Sequence, residues 1–586
     1  MPNNYHIRRL KTLLLGGMMI LAAWTAAAPA KRQPFKVTNS DGTTLTIMLC
    51  GDENFHFYAT TDGVPVIRKE NGDFRLAPEM TDSITMKWNE RRNRRNATRA
   101  KKAKSLLQSR ALGKSSAYTG KRKGIAILVN FPNAQMHSTH GREMYNDFFN
   151  KKNYKGFEQA GSVSDYFRDQ SYGNFELTFD VYGPIMAEHQ YGYYGANDRN
   201  GDDQKVAELM AEACRKANAE HDIEWSEYDW DNDGEAELVY VIYAGYSEEE
   251  GAPSNTIWSH MWSLEEGLQN GDGDGVITFD GTRINIYAMS SELARSTGNT
   301  LKGIGTVCHE FSHCLGIPDF YNPSFDGGFG MNAWDVMDEG AYNGKERNGE
   351  CPIGYTAHER WLAGWLTPIE LKEPVTIKNM PALQDSAVAY IIHNEGNNNE
   401  YFMLENRQNR GWFQYVNKLT NCHGLMAYHA DYDKYIWDYG FPNEDKDHQR
   451  MCIIPANGEF GTLRGASGNK YYSVSEEQLR GHLFPGLQQV TELTNTSHQD
   501  AGGTLFNKNT DGTFSMNKPV TDITESNGLI SFQFMGGDDT SSIKDVGTKE
   551  TEASFFTING ILATPPLKPG IYIKKQEGCT QKVLVK

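Results

Sequence analysis

His309 and His313 stand four residues apart in the run HEFSHCLGIPD, which begins at His309. On a helix, residues at this spacing project from the same face, so two imidazoles can bind one metal ion. Glu310 lies on the adjoining face, where its carboxylate can take a proton from a metal-bound water without ligating the ion. Gly316 lets the chain turn back, so that Asp319 can be the third ligand. The spacing predicts a catalytic zinc site whose fourth position is open to water.

The residues after His313 carry much of this prediction, because a bare H-E-x-x-H pentapeptide arises by chance in long chains. A glycine three residues and a carboxylate six residues later reproduce the metzincin spacing H-E-x-x-H-x-x-G-x-x-H, with Asp319 in place of the last histidine. An alternative is a structural zinc, whose fourth position is closed by another ligand. Cys308 and Cys314 point away from the face that the histidines share, so we expect them to be packing residues.

The overall composition is that of a soluble chain with several domains. Its 586 residues exceed what one hydrophobic core usually supports, about 250 to 300 residues. The 58 basic and 75 acidic side chains give a net charge of 58 minus 75, or -17. This charge argues against a nucleic-acid partner. The eight cysteines neither require nor exclude a disulfide.

Residues 1–30 have the pattern of a secretory signal peptide. Three basic residues, Arg8, Arg9 and Lys11, precede an apolar stretch over residues 13–24. Ala28-Pro29-Ala30 or the preceding alanines provide the small residues that a signal-peptide cleavage site requires. The apolar stretch is short for a membrane span, and no stop-transfer pattern follows it. We therefore expect a secreted or cell-surface protein without a membrane span.

Residues 31–120 are predicted to form a small β-rich propeptide that ends in a basic activation linker. Short alternating strands and the turns at Asp41-Gly42 and Asp62-Gly63 indicate the β-rich part. The stretch from Lys87 to Lys123 then holds 14 Lys or Arg residues against one acid, Glu90, which predicts cleavage by an activating protease with Lys or Arg preference. The alternative is a solvated helix or an anion-binding arm. Cys50 is expected to be a buried strand residue, with a thiolate cap on the zinc as the alternative.

Residues 121–366 are predicted to form the catalytic unit, an α/β (α+β) domain. Apolar runs at 125–131 and 238–244 indicate buried strands, and the spacing of apolar residues over 206–217 indicates an amphipathic helix on the sheet. Further strands are expected at 256–262 and 283–289. The sheet and its helices should give the zinc helix a rigid base.

A second cation site is predicted in the acidic loop DWDNDGEAE, which begins at Asp229. Carboxylates at alternate positions around a glycine let a tight loop place oxygen ligands around Ca²⁺. Tyr240 stands where an EF-hand has its last glutamate, so Glu237 would have to complete the shell. The alternative is a plain acidic turn. The predicted calcium ligands are Asp229, Asp231, Asp233, Glu235 and Glu237.

Residues 367–538 alternate short apolar strands with Gly, Asn and Asp turns, which predicts an accessory β-sandwich. Its aromatic residues, including Trp412, Tyr415 and Trp437, are expected to pack in the core rather than bind ligand. Residues 539–586 form a separate tail with short apolar strands. This tail resembles a C-terminal sorting segment of type IX secretion, and a terminal hairpin pair is the alternative.

The chain resembles the immune inhibitor A family of secreted metallopeptidases. Residues 309–321 follow the family pattern H-E-x-x-H-x-L-G-[LI]-P-D-[LF]-Y, and Trp334-Asp335-Val336-Met337 resembles its Met-turn. The resemblance extends over about residues 35–535. Further matching segments lie at 162–167, 171–173, 229–237, 244–245, 257–260, 339–340, 401–408 and 424–429.

This resemblance implies a metzincin-like zinc peptidase domain with His309, His313 and Asp319 as zinc ligands. Glu310 would activate the water, and Met337 would lie beneath the metal as a packed floor. The sequence departs from the family at Asp338, where a small hydroxyl residue is common, and at Glu237, where an aspartate is common.

The predicted activity is zinc-dependent hydrolysis of peptide bonds in protein or peptide substrates, with Glu310 as general base. Tyr342, His358 and Tyr321 are open candidates for stabilising the oxyanion. The competing hypothesis is a catalytically weak secreted binding or adhesion protein on a peptidase shell. The retained Glu310 argues against it, because such shells tend to lose the general base.

Overall fold

The computed structural model begins with a small antiparallel sheet between residues 35 and 76. Glycines with positive φ in its turns, Gly42 at +82° and Gly63 at +81°, permit the tight reversals between strands. Its five strands pair in chain order: β1 Phe35–Thr38, β2 Thr44–Asp52, β3 Phe55–Thr60, β4 Pro65–Arg68 and β5 Phe74–Leu76. Cys50 is buried in this unit with Met48, Ala59 and Tyr471, as expected of a packing residue.

The structure describes most of the chain between residues 29 and 585. The signal segment up to residue 28 and the basic segment over 88–117 lie outside the described residues. The described ranges are 29–52, 55–69, 71–84, 86–87, 118–198, 203–324, 326–439, 442–466, 469–497, 505–537, 554–557, 562–563, 570–576 and 579–585.

A five-stranded sheet with four parallel strands forms the base of the catalytic unit. The strand order is β7-β6-β8-β12-β9, and only the edge strand β9 runs antiparallel to its neighbour. The predicted apolar runs at 125–131 and 238–244 fall in β6 and β8, which confirms both strands. The strands of this unit are β6 Gly120–Asn130, β7 Phe175–Met186, β8 Val239–Tyr246, β9 His260–Ser263 and β12 Ile286–Leu293, with a hairpin of β10 Ile277–Phe279 and β11 Thr282–Ile284.

The strand expected over 256–262 is shorter than predicted. Thr256 donates hydrogen bonds from its backbone N–H and its hydroxyl to the Pro253 carbonyl, so the chain turns there and β9 begins only at His260. The region expected at 283–289 is divided between β11 and β12. Local propensity cannot show these interruptions, because they depend on turn hydrogen bonds and on pairing with other strands.

Helices cover both faces of this sheet. The predicted amphipathic helix is confirmed as α4, whose Leu209, Met210 and Ala213 are buried. The helices are α1 Arg142–Asn150, α2 Val163–Gln170, α3 Tyr191–Tyr194, α4 Val206–His221, α5 Leu264–Gln269, α6 Ile304–Cys314 and α7 Ala357–Leu362. Helix α6 carries the histidine motif, and nearly every residue in it is buried.

Close backbone packing holds the start of α6. A Cβ on Gly305 would lie 1.9 Å from the Ala341 carbonyl oxygen, and one on Gly303 would lie 2.1 Å from the Gly349 carbonyl carbon. Only glycine permits this approach between the helix and the segment after residue 335. Helix α6 is therefore packed closely against the segment that follows Met337.

Two further sheets follow the catalytic unit. One has the strand order β13-β15-β16-β17-β18 and the other β14-β22-β21, and apolar residues from both, including Ile392, Leu404 and Phe532, share one core. The strands are β13 Ile369–Glu370, β14 Val375–Met380, β15 Tyr390–Asn394, β16 Asn397–Arg407, β17 Gly424–Asp431, β18 Met451–Ile453, β21 Val520–Ser526 and β22 Leu529–Phe534. A hairpin of β19 Thr462–Ala466 and β20 Asn469–Ser473 and two helices, α8 Lys434–Tyr439 and α9 Glu476–Arg480, complete this region.

The tail contains a four-stranded antiparallel sheet in the order β24-β23-β25-β26. Its strands are β23 Ser554–Thr557, β24 Leu562–Ala563, β25 Gly570–Gln576 and β26 Cys579–Val585. Within the described ranges, none of the helices combines the length and hydropathy that crossing a bilayer requires.

Candidate metal centre

The structure brings His309, His313 and Asp319 together around one point. The Oδ1 atom of Asp319 lies 3.1 Å from Nε2 of His309 and 3.5 Å from Nε2 of His313. Two atoms that each bind a tetrahedral zinc at about 2.0 to 2.1 Å lie about 3.3 to 3.4 Å apart. The observed separations therefore fit a zinc ion held by these three side chains.

Backbone carbonyls orient both imidazoles toward that point. Nδ1 of His309 donates to the Val336 carbonyl at 2.8 Å, and Nδ1 of His313 donates to the Ile317 carbonyl at 2.8 Å. These bonds place a proton on Nδ1 of each ring, so each Nε2 is the nitrogen that faces the centre. Sequence reasoning did not find Val336 and Ile317, because a backbone carbonyl leaves no signature in residue type.

The Asp319 carboxylate makes the two histidines electrostatically different. Burial lowers the pKa of His309, but the hydrogen bond with Asp319 and the charges of Glu310 and Asp319 outweigh it and raise that pKa to about 9. For His313, burial dominates and lowers the pKa to about 4. The Asp319 carboxylate therefore stabilises positive charge at His309, whether a proton or a bound cation carries it.

Glu310 is fully buried on the neighbouring face of α6. One of its carboxylate oxygens lies within 4.8 Å of a ring nitrogen on each of His309 and His313. The metal could therefore be assigned Glu310 or Asp319 as its third ligand on distance alone. The Asp319 oxygen lies 3.1 Å from His309 Nε2. With Asp319 as the ligand, Glu310 would remain available as a base.

The segment around Met337 forms hydrogen bonds both to His309 on helix α6 and to the loop that contains Asp319. The Met337 carbonyl accepts from Phe320 N–H at 2.8 Å, next to Asp319, while the preceding Val336 carbonyl holds His309. Met337 itself is completely buried in the core, as an ordinary core methionine would also be. Its N–H donates to Oδ1 of Asp335 at 2.8 Å, which fixes the turn.

Asp335, which holds this turn, is paired with a second buried carboxyl group, that of Glu359. Asp335 and Glu359 share a hydrogen bond, and burial followed by their mutual interaction raises the pKa of Glu359 well above its usual range. Arg407 of β16 faces the same carboxyls and pairs with Glu405 at 2.5 Å. The Met-turn is thereby linked to the C-terminal sheets, a connection between distant segments that local sequence patterns do not reveal.

The candidate oxyanion donors have other partners here. The Tyr342 hydroxyl donates to the Pro29 carbonyl at 2.8 Å, and Nε2 of His358 lies 2.8 Å from the Tyr401 hydroxyl. Burial lowers the pKa of His358 to about 3, so this imidazole is neutral. Tyr321 is buried two residues after Asp319.

The acidic loop brings three of its five predicted ligands together. Carboxylate oxygens of Asp229, Asp231 and Asp233 lie within 4.8 Å of one another. Glu235 instead pairs with Arg283 at 3.2 Å, and Glu237 accepts from Trp230 N–H at 2.7 Å. Burial, first of all, raises the pKa of Glu237 to about 8. Glu235 therefore has a partner outside the loop, whereas Glu237 accepts from the loop backbone between Asp229 and Asp231.

The residues of this centre lie within a segment that is similar to a known family of catalytic domains. Residues 121–363 match the family model described as "Immune inhibitor A peptidase M6, catalytic domain". The chain is 25% identical over 274 residues to immune inhibitor A of Bacillus thuringiensis subsp. alesti, covering 40% of this chain and 38% of that protein. It is also 25% identical over 262 residues to pre-pro-metalloprotease PrtV of Vibrio cholerae, covering 38% of this chain and 28% of that protein. The match thus spans well under half of either relative.

Proposed function

We propose that this protein is a secreted zinc-dependent endopeptidase, because residues 121–363 match the family model of the immune inhibitor A peptidase M6 catalytic domain. The observation that carries the proposal is the convergence of His309 Nε2, His313 Nε2 and Asp319 Oδ1, at distances of 3.1 and 3.5 Å from the carboxylate oxygen to the two nitrogens. Peptides or proteins are the substrate class, since hydrolysis of an amide is the chemistry that such a centre supports.

Three residues would bind the metal, and a fourth, Glu310, would transfer the proton. His309, His313 and Asp319 would hold a zinc ion, which would supply Lewis acidity for activating water and polarising the scissile carbonyl. Glu310 takes the proton of the attacking water and then delivers it to the leaving amine. The buried position of Glu310 strengthens its electrostatic interactions, because few water molecules screen its charge.

A casein zymogram separates the peptidase from an adhesion protein on a peptidase shell. We expect clearing by the wild-type chain, loss of clearing with a zinc chelator, and recovery on adding zinc back. Clearing that is unaffected by the chelator would refute a metal-dependent mechanism. Equal clearing by a Glu310→Ala variant would refute the role of the base.

We further propose export through the signal segment and activation by cleavage in the basic stretch over 87–123. The support is the 14 Lys or Arg residues against one acid there, between two folded units. N-terminal sequencing of secreted protein should give a start between about Arg110 and Gly124. A secreted, active form that still begins at Lys31 would contradict activation by cleavage. Deletion of the tail from Ser541 should block secretion if that tail is a type IX sorting signal.

The aspartate group in the acidic loop supports a proposed structural Ca²⁺ site. Three carboxylates within 4.8 Å of one another form a concentrated negative charge that a hard cation would neutralise. We expect millimolar calcium to raise the melting temperature of the wild type by a few degrees, about 1 kcal/mol of stabilisation. The Asp229→Asn/Asp231→Asn double variant should lose this shift, and an exposed control, Asp280→Asn, should retain it. An equal shift in all three proteins would contradict a site at this loop.

A further inference from the structure

A lysine of the N-terminal segment is bound in an acidic turn of the catalytic unit. Nζ of Lys31 lies 2.8 Å from Oε2 of Glu250 and 3.1 Å from Oδ1 of Asn348. The Lys31 backbone N–H also donates to the Glu249 carbonyl at 3.0 Å. The two charged side chains are only 4% and 1% exposed, so this is a buried pair.

The acidic turn holds more negative charge than the catalytic unit itself balances. Lys302, which precedes α6, pairs with Glu249 at 2.5 Å and lies 3.4 Å from Glu250. The neighbouring Glu248 pairs with His56 of the N-terminal sheet at 2.9 Å. Removal of residues 31–120 would take Lys31 from Glu250 and His56 from Glu248, and among the described residues Lys302 would be the one remaining cation within 4 Å of these carboxylates. The net negative turn would then favour another cation.

The other nearby cations are engaged elsewhere. The Arg347 guanidinium lies 3.3 Å from Glu339, and Arg295 directs its guanidinium to Glu346 at 3.5 Å while its backbone N–H donates to Glu250 at 2.7 Å. Neither side chain substitutes for the Lys31 ammonium on Glu250.

The segment that contains Lys31 also lies beside the loop after Asp319. Arg32 lines a cavity with Tyr321 and Asn322, which come two and three residues after the ligand Asp319. Nζ of Lys31 lies 5.9 Å from the ring centroid of Tyr342. Burial, and then the charges of Glu249, Glu250 and Glu310, raise the pKa of Tyr342 well above its usual range, so Tyr342 lies near both the acidic turn and the general base.

We propose that Glu250 and the Glu249 carbonyl form a subsite for a basic side chain of the peptide substrate, which Lys31 occupies before processing. The inference rests on the proposed peptidase function and on removal of the propeptide. Its support is the occupant itself: Lys31 donates its backbone N–H to the Glu249 carbonyl, and its buried ammonium lies beside Glu250 and 5.9 Å from the centroid of the Tyr342 ring. The chemical class of substrate is therefore a peptide with lysine or arginine near the scissile bond.

Paired quenched-fluorescence peptides test this subsite on the processed enzyme. A neutral parent peptide receives a single lysine, or a single norleucine of similar shape, in turn at each of about three positions on either side of the cleaved bond. At one position we expect lysine to raise kcat/KM over norleucine by about tenfold or more, mainly through KM. Glu250→Gln should reduce that ratio toward one, whereas the exposed Glu346→Gln variant should keep it.

Binding separates failure of the subsite from failure of the proposed activity. Fluorescence anisotropy of the same peptides on the processed Glu310→Gln variant gives a lysine-to-norleucine affinity ratio that needs no turnover. Equal kcat/KM for lysine and norleucine at every position in the wild type, or a ratio unchanged by Glu250→Gln, would overturn the subsite. No cleavage of any peptide together with tighter lysine binding would overturn the peptidase function and support the subsite.

Discussion

Glu310→Gln is expected to lower kcat/KM by about 10² to 10⁴-fold while the protein retains its zinc. Glutamine keeps the shape of the buried side chain but cannot accept the proton of the attacking water or deliver it to the leaving amine. Since His309, His313 and Asp319 are unchanged, metal content should stay near that of the wild type. Peptide hydrolysis rates and zinc analysis on the same samples measure both parts of this prediction.

A matched variant checks that the loss is local. Glu143→Gln removes a carboxylate from an exposed position on α1 and should retain wild-type activity. If Glu310→Gln hydrolysed peptides at the wild-type rate with full zinc content, another residue would have to be the base.

Asp319→Ala is expected to remove both zinc and activity. Loss of an outer partner of a metal ligand alone costs about 10- to 100-fold in metal affinity, so loss of a direct ligand should cost more. The remaining imidazoles of His309 and His313 would leave the ion with two protein ligands. Zinc titration against a competing chelator gives the affinity, and peptide hydrolysis at saturating zinc shows how much activity the metal restores.

Asp326→Ala is the appropriate control, because it removes a carboxylate from the same loop seven residues later. The Asp326 carboxylate accepts from Asn322 at 3.0 Å rather than facing the two histidines. Unchanged zinc affinity in Asp319→Ala would exclude Asp319 as a ligand and would favour Glu310 in its place.

The convergence of His309, His313 and Asp319 could be predicted because it depends on residues that are close together in the sequence. His309 and His313 fall on one face of α6, and Gly316, with φ of +82°, allows the turn that returns Asp319 to them. The same reason makes three elements predictable: the buried strands β6 and β8 and the amphipathic helix α4. Their apolar runs and helical periodicity are patterns of neighbouring residues in the sequence.

Contacts between distant segments could not be predicted in this way. The carbonyl of Val336, 27 residues after His309, selects the ring nitrogen that faces the metal. The pairing of Lys31 with Glu250 joins residues 219 positions apart. Both depend on tertiary packing, which residue spacing along the chain does not encode.

The acidic loop shows the same limit within a short motif. Alternation around Gly234 predicts five carboxylates directed to one ion, and the structure groups only the three aspartates. Glu235 forms an ion pair with Arg283 of β11, a strand that begins 47 residues later. Local spacing identified the cluster but not the competing partner.

X-ray absorption at the zinc edge tests the central claim most directly. We expect about one zinc per chain, bound by two imidazole nitrogens and by light oxygen ligands, with no sulfur neighbour. The oxygen ligands should include one from Asp319 and one that exchanges with solvent. A chain that binds no zinc, or a zinc whose four positions are all filled by protein side chains, would contradict a catalytic centre at His309, His313 and Asp319.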